Sequence, residues 1–239
     1  MNNKKHYSKG FILPFFLKKD WFWFTDPKDV KNSAMVNFFS YKDFNITGFK
    51  KKEGLTTVID LEQSLDDIWL KFRKKFIAKQ IKRGERNSVI IKLSKDYNDF
   101  KKIYKKFREE NNLGKEKLDL LFKNTFFIAA YYQNKMVAGG IFVNDEENMR
   151  ALVLASLRGD GNREIIGQAN RMLIWEIIKY AKNRGIKLFD LGGIAVNSEY
   201  RHQVTLAEFK EAFGGYRKKC YYYYKVYSPL LRFWIKIRK

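Results

Sequence analysis

The sequence predicts a mixed α/β domain with a central, largely antiparallel, hairpin-rich sheet flanked by helices. Three observations carry that prediction. Strand-like apolar runs at 125–132, 136–143 and 149–157 follow one another with only short polar turns between them. Helix-periodic segments lie before and after this meander, not between its strands. A doubly wound dinucleotide fold would alternate strand and helix from the start, and neither GxGxxG nor a P-loop string occurs.

Taken in order, residues 21–24 (WFWF) read as a short aromatic strand or a buried loop. Thr25 or Asp26 can cap a short helix with Pro27 in its first turn. Residues 48–54 read as a basic turn between two glycines, and 56–61 (TTVIDL) as a buried strand. Ser64 with Asp67 resembles a capping box for one helix running to about Gly84. A strand follows at 89–93. A charged helix spans 96–112, with Phe100, Ile103, Tyr104 and Phe107 on one face. A second helix is expected at 115–122. After the meander, whose first turn is Gln133-Asn134-Lys135, Gly159-Asp160-Gly161 is a loop. The helix at 164–184 is apolar on most sides, so it is expected to be buried, and Gly185 ends it. A strand at 187–191, a helix at 206–213, an aromatic strand at 220–227 and a basic, apolar helix from Pro229 complete the chain.

The 239 residues suffice for one large domain or two small ones. An apolar content of 45% allows a true core, and only three prolines argue against long disordered segments. The formal charge of +22 favours phosphate-bearing partners, whether nucleic acid, nucleotide-linked substrates or anionic lipid heads. A compositional bias toward Lys, Asn and Ile is the alternative and the lesser part of the explanation. The single cysteine, Cys220, excludes an internal disulfide framework and a Cys-based zinc site, and fits a cytosolic location. No metal site is expected. Lys4, Lys5 and Lys9 precede an apolar run at 11–17 that Pro14 breaks and Lys18 and Lys19 follow. It is too short for a secretion signal, and no segment is long enough to cross a bilayer. The chain reads as soluble or peripheral.

Two blocks near the C-terminus stand out: FDLGG at 189–193 and FKEAFGG at 209–215. Each ends in a glycine pair at a junction, where backbone can approach a ligand or take turns that side chains forbid. Gly192, Gly193, Gly214 and Gly215, with Asp190 before the first pair and Tyr216 after the second, are candidate substrate contacts. Arg201 and His202 lie in the polar segment between the blocks and are candidates too; a plain surface loop is an equal reading. Lys210 is either a solvated lysine on an amphipathic helix, with Phe209 and Phe213 facing the core, or a group placed for chemistry. Residues 71–86 carry Lys71, Arg73, Lys74, Lys75, Lys79, Lys82, Arg83 and Arg86 against Glu85 alone. A solvated face and a phosphate track are equally open, with Lys79, Lys82, Arg83 and Arg86 the candidate phosphate or tRNA ligands. The tail helix either packs on its own domain or lies on anionic lipid.

The order of these elements resembles the Gcn5-related (GNAT) acyltransferase superfamily, and within it the Fem-type aminoacyltransferases of peptidoglycan cross-bridge synthesis. Four strings carry the resemblance: TTVIDL with the basic helix ending IKRGER (81–86), the meander at 125–157, LIWEIIKYAKNRG running into LFDLGG, and FKEAFGG before an aromatic strand. They cover roughly residues 55–227. The resemblance implies a GNAT-like domain at 55–228, an N-terminal segment 1–54 as a partial remnant packed on it, and a basic amphipathic helix at 229–239. It implies that Phe209 and Lys210 line the acyl-transfer site, with the lysine stabilising the oxyanion of the tetrahedral intermediate. Two departures stand beside this. Ala78, Ile81 and Lys82 occupy the positions of an arginine-bearing family pattern, and in 158–169 Gly167 falls one place late for the loop of acetyl-CoA enzymes.

The implied activity is transfer of an aminoacyl group from aminoacyl-tRNA to an amine of a nucleotide- or lipid-linked cell-envelope precursor, without a bound cofactor. The charge favours tRNA as donor; the short length favours acyl-CoA. The implied location is cytoplasmic, with a peripheral contact at the inner membrane face through 229–239. A non-catalytic nucleic-acid-binding protein and a membrane adaptor are the rivals.

Overall fold

The computed structural model describes residues 6–9, 18–74, 76–94, 97–111, 118, 125–157, 162–195, 199 and 201–237. The N-terminal third supplies β1 (His6–Lys9), β2 (Lys19–Trp23), β3 (Met35–Ser40) and the long β4 (Lys50–Asp60). Helices α1 (Leu65–Lys74) and α2 (Ile77–Arg86), strand β5 (Ile90–Leu93) and helix α3 (Tyr97–Glu110) follow. The meander is β6 (Phe126–Tyr132), β7 (Lys135–Asn144) and β8 (Asn148–Ser156). Then come α4 (Arg163–Asn183), β9 (Leu188–Ile194), α5 (Arg201–Glu211), β10 (Tyr216–Val226) and α6 (Pro229–Ile237).

All ten strands join one sheet in the order β1-β2-β3-β10-β4-β9-β8-β7-β6-β5. Every neighbouring pair is antiparallel except β2 with β3 and β8 with β9. The β8–β9 pairing is short. It covers only Asn148–Arg150 against Leu188–Asp190. Beyond Arg150, β8 continues to Ser156 against β7 alone, and beyond Asp190, β9 continues to Ile194 against β4. Two parallel strands therefore part at their carboxyl ends and leave a wedge in the middle of the sheet. Ligands of open α/β sheets bind at such places.

Local chemistry accounts for the boundaries. Ser64 Oγ accepts the backbone N–H of Asp67 at 3.0 Å, so the expected cap starts α1. Gln133 and Asn134 both take positive φ (49° and 60°), as a two-residue hairpin turn demands. That pulls Lys135 into β7. Gly185 (φ 75°) ends α4 as expected, with Ile186 N–H reaching back to Ala181 O at 3.1 Å.

Several expectations are corrected. The single helix drawn over 64–84 is two, broken at Phe76, whose φ of 64° no continuous helix tolerates. The break lets α2 lay Ile77, Ala78, Ile81 and Gly84 toward the core. Residues 25–30 form no helix. The basic turn at 48–54 ends by Phe49; from Lys50 the chain is already β4, paired with Tyr224 through Cys220 of β10. Strand β3, MVNFFS, was not anticipated: it is buried on both faces and shows no alternation. The N-terminal segment 1–54 adds β2 and β3 to the same sheet through β10. The loop at 159–161 and the apolar run at 11–17 lie outside the described residues. So does the helix expected at 115–122, apart from Leu118, which is buried.

The sheet is covered on both faces. Against one, α1, α2 and α4 bury Phe72, Ile81, Leu173 and Ile177 with Phe142, Phe189 and Phe213. Against the other, α3 buries Phe100 and Ile103 on Phe127 and Ile141. Phe72 is fully buried and ringed by Trp69, Trp175 and Phe213. On α6, Leu231 is buried while Leu230 and Phe233 are 59% and 63% exposed.

Phe72→Ala is expected to cost about 3–5 kcal/mol in urea unfolding. Leu230→Ala is expected to stay within about 0.5 kcal/mol of the parent.

Candidate functional site

The apex of the wedge is polar and dry. Arg150, the last β8 residue paired with β9, lies opposite Asp190. Both are buried, and Arg150 Nη1 donates to Asp190 Oδ2. Asp190 Oδ2 also accepts the Tyr41 hydroxyl at 2.8 Å. Its Oδ1 accepts the Gly192 N–H at 2.6 Å and the Thr56 hydroxyl. All the acceptor capacity of one carboxylate is thereby used. Arg150 adds bonds to Thr56 Oγ1 at 3.2 Å and Tyr222 OH at 2.9 Å, and its guanidinium lies 4.2 Å from the Phe39 ring centroid. Burial works against the Arg150 charge, but Asp190 outweighs it and holds the guanidinium above its ordinary pKa. Burial and Asp190 push the Tyr41 phenol up, so it stays a donor.

The network also sets the course of β9 beyond Asp190. The bond from Gly192 N–H to Asp190 bends the strand so that Gly192 takes φ 92°, which glycine adopts without strain. A Cβ there would lie 3.3 Å from Lys210 Nζ. The bend presents Gly193 O, which accepts from Lys210 Nζ at 2.7 Å. Lys210, in the last turn of α5, is 7% exposed. Burial, and then the nearby Arg150 charge, lower its pKa to about 8, against the opposing pull of Asp190. An ammonium has three N–H bonds. Among the described residues one is used, so two are left for a substrate.

The candidate residues divide. Lys210, Asp190, Gly192 and Gly193 meet at the wedge. Phe209 is adjacent on α5, its ring against Phe213 and under the Arg171 guanidinium at 5.5 Å. The second glycine pair, just before Tyr216, lies across β4 from the wedge, where Tyr216 and Asp190 pair with opposite sides of Val58. A Cβ on Gly214 would meet Lys71 at 2.6 Å and one on Gly215 would meet Val58 O at 2.7 Å. Close packing on Lys71 of α1, with a φ of 72°, explains Gly214, and close packing on Val58 of β4 explains Gly215. Tyr216 is exposed on the same strand. Arg201 is exposed at the start of α5, and the His202 side chain lies outside the described residues. Lys79, Lys82, Arg83 and Arg86 lie on α2: Lys79 over the Phe76 ring, Arg83 paired with Glu164 at 3.3 Å, Arg86 on Lys82 O.

Arg150, Thr56, Tyr41 and Tyr222 were not singled out from the sequence. For Arg150 a signal existed, a lone charge inside the apolar strand NMRALVLAS. Cys220 lies near the network, but burial raises its thiol pKa to about 11, which makes it a poor nucleophile.

No family model matches the chain, and no curated protein matches it in sequence. Solved structures do. FemX superposes with a TM-score of 0.64 at 11% identity, over 92% of this chain and 83% of that one. The C-terminal domain of a protein provisionally named lysylphosphatidylglycerol synthetase, from Agrobacterium fabrum, gives 0.57 at 14% identity, over 87% and 78%. L-PGS from Bacillus licheniformis gives 0.53 at 15% identity, over 84% and 71%. The chain shares the mixed α/β fold of FemX and these domains, as the resemblance to the Fem type implied.

Two outcomes test the apex. Arg150→Met leaves Asp190 buried without its counter-charge and is expected to cost about 3–5 kcal/mol in chemical denaturation. For Lys210 the folded pKa, about 8, lies below the ordinary 10.5. Between those values the unfolded chain binds more protons, so the wild type gains stability as pH rises through that window. The stability of Lys210→Met relative to wild type should therefore fall from pH 8 to 10.5, where the shift ends. A difference that does not change with pH would show Lys210 to be solvated.

Proposed function

We propose that this chain is an acyltransferase that makes an amide, moving an aminoacyl group from aminoacyl-tRNA to an amine of a cell-envelope precursor. One observation carries the reading: a buried ammonium whose hydrogen-bond partner among the described residues is Gly193 O alone, fixed where two parallel strands part. In the reaction the amine nitrogen attacks the ester carbonyl carbon. The carbonyl oxygen takes the negative charge, and Lys210 Nζ stabilises it. The carbon–oxygen ester bond then breaks, and the proton lost by the amine ends on the departing ribose oxygen. A cation aimed at developing charge in a dry site contributes several kcal/mol, about 3–4. Holding the amine in line with the ester supplies much of the remaining acceleration, so no dedicated base is required.

The basic face of α2 supports a polyanionic donor. We assign Lys79, Lys82, Arg83 and Arg86 to its phosphates, with the affinity falling steeply with salt. One of the structural neighbours is named for lysylphosphatidylglycerol, an amino acid joined to a lipid. That favours an envelope or lipid acceptor. The exposed Leu230 and Phe233 of α6, with Arg232 between them, suit contact with an anionic membrane surface. No helix among the described residues is long and apolar enough to cross a membrane.

The decisive assay offers charged tRNA pools and acyl-CoAs separately, with amine acceptors, and follows acyl discharge. Discharge of tRNA is expected; discharge of CoA esters alone would replace the donor, and discharge of neither would refute the enzyme. Lys210→Met should lower turnover by about 100- to 1,000-fold. Because the ammonium must be charged, wild-type activity should decline as pH rises through about 8. Lys210→Arg should move that alkaline limb upward.

A further inference from the structure

Arg171 of α4 is held in an unusual way. Its Nη1 donates to Gly167 O at 2.8 Å, and its guanidinium lies over the Phe209 ring. Its Nε is buried and has no hydrogen-bond partner among the described residues. Among the described residues no carboxylate pairs with it. Burial draws its pKa down. Arg150 shows the contrast, with Asp190, Thr56 and Tyr222 all bonded to it. A cation partly withdrawn from water without a counter-charge is costly, and proteins supply one.

The geometry says what is missing. With Nη1 taken by Gly167, the edge formed by Nε–H and Nη2–H remains. Those two donors are parallel and match two oxygens of one planar or tetrahedral oxyanion. The Phe209 ring fixes the plane of the guanidinium. Phe209, the residue that precedes Lys210 in α5, thus ties Arg171 to the helix that carries the lysine.

We propose that Arg171 is a binding site for an oxyanion, a phosphate or carboxylate, carried by the substrate that enters the wedge. Held there at a non-reacting part of the molecule, that group anchors the substrate equally in the ground state and the transition state. Only the anion's belonging to a substrate rests on the acyl-transfer reading. The binding site itself does not.

The test uses the full chain labelled with ¹⁵N-arginine. The Arg171 Nε–H signal is identified by its contact with Phe209 ring protons and by its loss in Arg171→Lys. Inorganic phosphate, and separately acetate, is titrated at constant ionic strength. A saturable shift of this signal is expected, and it should persist in a Lys82→Ala, Arg83→Ala, Arg86→Ala variant. Saturation with phosphate identifies a phosphate site, and saturation with acetate alone a carboxylate site. A signal that moves with neither, or drifts without saturating as the exposed arginines do, overturns the proposal. This readout needs no activity, so its failure is separable from a failed transfer assay. Where transfer is measured, Arg171→Lys should raise KM for one substrate by about 10- to 100-fold with kcat little changed. A loss confined to kcat would contradict a binding role.

Discussion

The Arg150–Asp190 ion pair is the constraint on which the site is built. It sits at the last register position shared by β8 and β9, and beyond it the two strands go separate ways. A gap in the middle of a sheet strands backbone polar groups and weakens the layer, unless something seals its apex. Here the seal is a bonded network of Arg150, Asp190, Thr56, Tyr41 and Tyr222, drawn from β8, β9, β4, the segment after β3, and β10. A buried pair seldom adds net stability over an apolar one. Its role here is to fix geometry: Asp190 bends Gly192, Gly192 turns Gly193 O outward, and Gly193 O holds Lys210.

The same arrangement concentrates charge. Arg150 is neutralised by Asp190, so the surplus cation at the wedge is Lys210. A lysine that is dry and singly bonded is a poor structural choice and a good electrostatic one. The α2 face and the Arg171 edge extend the cationic surface away from the wedge, on helices that pack against one another. The high net charge of the chain is thus not spread evenly in meaning. Arg83 and Arg217 are paired with Glu164 and Glu211 at the surface, while Lys210 and Arg171 are drawn inward with no carboxylate of their own among the described residues.

Much of the fold could be read from the sequence because its signals are local. The meander, the capped start of α1, the long apolar α4 and the Gly185 stop each depend on residues close in the chain. Strand β3 could not be read, because burial on both faces erases alternation, and the start of β4 hid behind lysines that a paired strand can still expose. The break at Phe76 has no compositional mark. In the site, Lys210, Asp190 and the first glycine pair were visible as two short strings. The second glycine pair looks equivalent in sequence, yet Gly214 is crowded by Lys71 of α1 and Gly215 by Val58 of β4. Tyr41 and Tyr222 were invisible, since Tyr41 meets Asp190 across 149 positions.

If the wedge mouth at Lys210 binds the oxyanion of an acyl-transfer intermediate, a stable mimic of that intermediate must seat there. A crystal structure with a tetrahedral phosphonate analogue of the aminoacyl ester of adenosine is therefore the sharpest check. A phosphonate oxygen is expected within hydrogen-bond distance, about 3 Å, of Lys210 Nζ, between the diverging ends of β8 and β9. An analogue bound elsewhere, with Lys210 still turned only to Gly193 O, would contradict oxyanion binding at the wedge.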